Sequence, residues 1–215
     1  MLLFGILAMI GALGIAVGDA LLLGNPVSGM TFRRQRLENL LHVPFERMFI
    51  GHTFGILIIP LMGFGIWQVF LGLRPAGLSH ALPPTLMMSY MLVVGAAAHG
   101  CFAFLGRSMQ LQKQHANVSE VDLEGVVTQF RRLLFPLFGA FLLTLIVGSI
   151  WFGLVVWSGN TLYPRWMALM NPLALFVVFG LIGNWLPAPV GGFVRPATGN
   201  IAMFVFFLVS TVALT

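Results

Sequence analysis

Three ionisable residues stand inside apolar runs of this 215-residue chain: Asp19 in "GDALLLGNPVSG", His52 in "GHTFG" and His99 in "AAAHGCFAFLG". A carboxylate or imidazole inside lipid costs several kcal/mol unless it is paired or hydrated, so such residues mark sites or polar clusters. Asp plus two His is a ligand set that suits Zn²⁺ with one position open to water. Such a water could ionise near neutral pH and attack a carbonyl. Without metal, Asp19 could orient one imidazole as a general base. His52 and His99, facing across a helix pair, could instead hold haem or another tetrapyrrole. The plainer alternative is a hydrogen-bonded network that only ties helices together. No His-x-x-x-His, His-Glu-x-x-His or serine elbow accompanies the three residues.

The elements that must position them are membrane helices. Apolar residues make up 59% of the chain and charged residues only 8%, against roughly 25% charged in soluble domains. A helix crossing about 30 Å of hydrocarbon needs roughly 20 apolar residues. Six segments qualify, at about 2–24, 48–73, 85–106, 133–157, 166–186 and 197–215. The last is the weakest, and the first reads as a retained helix, not a targeting segment. The expectation is an all-α, six-helix bundle over 1–215 as one transmembrane domain. Arg33, Arg34, Arg36, Arg47, Arg107, Lys113, Arg131, Arg132 and Arg195 fall in loops one, three and five, and only Arg74 and Arg165 fall elsewhere. Basic loops stay cytoplasmic, which places both termini outside, in a bacterial-type inner membrane. The net charge of +5 is thus a topology signal, and nothing else supports a nucleic-acid partner. Cys101 is alone, so neither a disulfide nor a cysteine metal site is expected.

At 1.5 Å per residue, Asp19, His52 and His99 lie roughly 8, 6 and 12 Å below the cytoplasmic boundary. One depth zone therefore holds all three. Gly18, Gly51, Gly55 and Gly95 beside them let backbones approach closely, which turns the polar groups into the bundle. Asn184 and Asn200 flank loop five at a similar level and are substrate-binding candidates, with packing or capping as their plainer role. Arg33, Arg34 and Arg36 could recruit an anionic headgroup or membrane lipid.

"GDALLLGNPVSG", "GHTFG", "HGCFAFLG" and "NPLAL" together resemble an uncharacterised bacterial family of six-helix membrane proteins, a domain of unknown function. That resemblance implies a six-helix domain and a shared polar site at Asp19, His52 and His99. A much weaker likeness, in residue kinds alone, is to the ceramidase-like membrane hydrolases; their paired histidines four apart are missing. The resulting expectation is a pocket open to the cytoplasmic side that binds, and could hydrolyse or isomerise, a lipid-like amphipathic small molecule. Catalytic or zinc-ligating roles would fall to Asp19, His52 and His99. The alternatives are a haem subunit, a proton-coupled carrier and a purely structural cluster.

Overall fold

A computed structural model describes residues 1–35, 37–114 and 123–215. Among these the chain is all-helical, in the order α1 (Leu2–Leu23), α2 (Gly29–Arg34), α3 (Phe45–Ile58), α4 (Pro60–Leu73), α5 (Leu78–Gln114), α6 (Leu123–Trp157), α7 (Pro172–Trp185) and α8 (Gly191–Leu214). Five described segments are long and apolar enough to cross a membrane: α1, the run Phe45–Ala76 through α3 and α4, α5, Gly125–Trp157 and α8.

The expected fifth span at 166–186 is the short one. Arg165–Ala168 form a 3₁₀ turn, and Asn171 then caps α7, its Oδ1 accepting from the Ala174 amide at 3.0 Å. Pro172 follows at the first helical position, where its missing N–H is no loss. The 14 residues of α7 rise only about 21 Å. It nonetheless links opposite ends of the bundle. The Leu162 amide before it bonds the Gly72 carbonyl at the end of α4, whereas the Leu186 carbonyl after it accepts from Gly29 on α2.

Helix α8, expected to be the weakest, runs for 24 residues. Sequence reading starts it at 197 because a proline inside a helix strands the carbonyl four residues back. Here Pro196 lies within the helix, and the stranded Gly192 carbonyl accepts from the Asn25 amide at 3.3 Å instead. Likewise α5 begins at Leu78 and passes through Pro83 and Pro84, a stretch that reads as a turn in sequence.

Two apolar clusters fill the bundle. One, around Met62, Met91, Phe152, Phe206 and Phe207, occupies the half that holds Gly72. The other, around Leu22, Phe32, Leu40, Met48 and Phe102, occupies the basic half. Loop one is built into that second cluster. Gln110 Nε2 on α5 donates to the carbonyls of Leu40 at 2.9 Å and Val43 at 2.7 Å. Arg47, on α3 and not in a loop, donates Nη2 to the Gly24 carbonyl at the end of α1, which satisfies an orphan group of that terminus.

The half away from the basic loops holds polar groups that sequence reading passes over. Gln68, 1% exposed, donates to Thr211 Oγ1 at 3.1 Å. The Tyr163 hydroxyl lies 2.7 Å from Ser210 Oγ. Burial pushes the Tyr163 phenol above its ordinary value of 10.0, against the opposing pull of the Ser210 bond. A raised pKa here favours the neutral form in the fold, so the contribution is complete below pH 10 and is lost as pH climbs past it. Tyr163→Phe should therefore flatten the alkaline fall of the unfolding midpoint, while costing about 1 kcal/mol near neutrality through the lost Ser210 partner. An unchanged alkaline limb in the variant would refute this.

Candidate functional site

The two clusters do not meet. Between them lies a cavity of about 400 Å³. Met62, Met91, Leu145 and Met203 come to its wall from one cluster, and Leu23, Phe32, Ala98 and Phe102 from the other. Asp19, Arg33, His99, Arg195, Thr198 and Asn200 are its polar wall. Leu142 of α6 both lines the cavity and is 41% exposed, so on that side the wall is one side chain thick.

Asp19 and His99, which share one depth, meet. His99 Nδ1 lies 3.1 Å from Asp19 Oδ1, with side-chain exposures of 6% for His99 and 13% for Asp19. The other carboxylate oxygen accepts from Asn200 Nδ2 at 2.7 Å. His99 Nε2 faces the Gly51 carbonyl at 3.3 Å. The result is a clasp in which α5 reaches α1 and α3 through one imidazole and α1 reaches α8 through one carboxylate. Glycine makes it possible: a Cβ on Gly55 would sit 2.5 Å from His99 Nε2, so any side chain there displaces the ring.

His52 lies elsewhere. It is absent from the cavity wall and stacks behind His99, with ring centroids 6.1 Å apart and planes at 16°. Its other aromatic neighbour is Phe104, edge-on at 6.0 Å. Its Nδ1 is buried without a hydrogen-bond partner. Asn184 is not in the wall either but supports it, since its Oδ1 accepts from Arg195 Nε at 2.6 Å. Arg34 is exposed on α2, outside the wall, and Arg36 lies outside the described residues.

The donor set does not fit a metal or a haem at Asp19, His52 and His99. A ligating imidazole needs a free nitrogen lone pair, but both nitrogens of His99 already face oxygen atoms. Among the described residues no group of three or more His, Cys, Asp or Glu is placed to hold a metal ion. The same engagement leaves His99 no free nitrogen to act as a base toward the cavity.

Sequence reading misses Arg195 as a site residue and counts it only as a loop charge. The cause is the helix start placed after Pro196. With α8 beginning at Gly191, Arg195 falls on the same helix face as Thr198 and Gly199. Its Nη1 donates to Thr198 Oγ1 at 3.2 Å. The signal available is the spacing of Arg195, Thr198 and Gly199 in "RPATGN", which is one helical face once the proline is tolerated.

The profile of the family of unknown function DUF6796 matches residues 1–215. The chain belongs to that family. No curated protein and no solved structure matches it. Membership in a family of unknown function was the resemblance drawn from the motifs; the weaker likeness to ceramidase-like hydrolases finds no support.

Proposed function

We propose that this DUF6796 protein is a bacterial inner-membrane bundle that binds an amphipathic, lipid-like small molecule in the cavity between its two apolar clusters. The bundle crosses six times, with α7 as the short crossing, the basic loops in the cytoplasm and both termini outside. The observation that carries the reading is the cavity wall itself. Methionine, leucine and phenylalanine side chains surround most of it, and the polar groups come from α1, α2, α5 and α8. Ligand sites take this form, apolar with a few convergent polar groups, at about 300–1,000 Å³.

Binding has better support than turnover, because Asp19, His99 and Asn200 satisfy one another. The same fact favours a second, compatible role for them as a structural clasp. A heat-stability screen in a bulky steroid-based detergent tests the binding reading, using laurate, dodecyl phosphate, monolaurin and dodecylamine as probes. At about 100 times its dissociation constant, a probe that binds only the folded state adds about 2.7 kcal/mol. Protection by at least one of the four is expected. If none raises the unfolding midpoint, the cavity is not a site for single-chain amphiphiles.

A further inference from the structure

Two guanidinium groups share the cavity wall, Arg33 from α2 and Arg195 from α8, and each lies within electrostatic reach of the other. Backbone bonds join the segments that lead into their two helices. The Gly29 amide donates to the Leu186 carbonyl at 3.0 Å, Gly192 donates to Val27 at 2.7 Å, and Asn25 donates to Gly192. These bonds stitch segment 25–29 onto 186–192. The packing admits no slack, because a Cβ on Gly29 would collide with the Gly183 carbonyl.

Neither arginine is neutralised among the described residues, where His99–Asp19 is the one ion pair. Asp19 forms no ion pair with either of them among the described residues, and its two oxygens accept from His99 and Asn200. The partners of Arg195 are the neutral Asn184 and Thr198. Two like charges on the wall of one apolar chamber repel. They are stabilised by an anion placed between them. A guanidinium pair supplies forked N–H donors that match carboxylate or phosphate oxygens.

We infer that Arg33 and Arg195 form an anion site at the polar end of the cavity, so the molecule bound there is a single-chain amphiphile with a carboxylate or phosphate head. This rests on the cavity being a ligand site. Asn184 and Thr198 act as positioning residues, holding the Arg195 guanidinium toward the chamber. The chain of the amphiphile occupies the space lined by Met91, Phe141 and Met203.

The test is calorimetric titration of the intact chain with dodecyl phosphate and monolaurin, both below their micellar concentrations, and with inorganic phosphate. Dodecyl phosphate should bind more tightly than monolaurin, and Arg33→Gln should weaken it by about tenfold, the loss of one charge-assisted contact. Arg195→Gln should do the same, and neither variant should alter monolaurin binding. Arg33 is exposed, so its variant keeps the test open even if Arg195→Gln does not fold. Inorganic phosphate binding with the same arginine dependence, and no gain from the dodecyl chain, would assign the site to a free anion and overturn the amphiphile. Equal affinity for dodecyl phosphate and monolaurin, unmoved by Arg33→Gln, would overturn the anion site while leaving the cavity reading intact. No binding by any chain-bearing probe would overturn the cavity reading itself.

Discussion

Asp19→Ala should destabilise the fold more than any other single change in the polar wall, by about 2–3 kcal/mol, read as a lowered unfolding midpoint. Removing one partner of a buried ion pair costs about 3–5 kcal/mol in soluble proteins. Polar contacts between membrane helices are worth less, because the separated helices find other partners. The alanine strands His99 Nδ1 and Asn200 Nδ2 together, and so loosens α1 from both α5 and α8. Asp19→Asn keeps the shape and a single acceptor, and Asn200 can turn its amide to suit, so about 1 kcal/mol is expected. His99→Ala should resemble Asp19→Ala, since it leaves the carboxylate unpaired beside the open face of Gly55. Two residues acting through one contact couple: the double variant should fall short of the summed single effects by about 1–3 kcal/mol. His52→Ala is the contrast, costing under about 1 kcal/mol, because its Nδ1 has no partner to lose. Strict additivity of Asp19→Ala and His99→Ala, or a His52→Ala as damaging as either, would remove the clasp.

The legible part of this site is the part governed by depth. Asp19, His99 and Asn200 fall at one level when counted from the ends of their helices, and they do touch. What depth cannot supply is rotation about a helix axis. His52 shares the level and sits next to the ring it was expected to join, yet it faces α5 from behind His99 and outside the cavity. Even where a local rule fixes a helix end, apolar length can override it: the expected span begins at 166, although Asn171 caps α7 and Pro172 opens it. Helix ends are also misread where a distant backbone group repairs a broken rule. Pro196 argues against a helix locally, and only the Asn25 amide, brought in by the fold, makes it acceptable. That misreading hid Arg195. Gln68 was passed over for a different reason: a neutral amide within an apolar run gives no charge signal, and its partner Thr211 lies 143 positions away.

Gly95→Leu should have the opposite signature to Asp19→Ala, leaving the protein as stable or more so while abolishing its response to amphiphiles. Gly95 lines the chamber, and a Cβ there would stand 3.7 Å from Phe141 Cε2, an ordinary contact. A leucine thus grows into empty space. It also replaces a glycine inside α5, which favours the helix by up to about 1 kcal/mol. The filled chamber no longer accepts an alkyl chain, so the protection of about 2.7 kcal/mol expected at a hundredfold excess of probe over its dissociation constant should vanish. This pair of signs separates the two roles assigned to the wall. Loss of Asp19 weakens the bundle whether or not anything binds, so by itself it speaks only for the clasp. Filling a void at Gly95 leaves the clasp intact and removes only the space. If dodecyl phosphate still protects Gly95→Leu as it protects the native protein, the chain lies outside this cavity, and Asp19, His99 and Asn200 are there to hold the helices together.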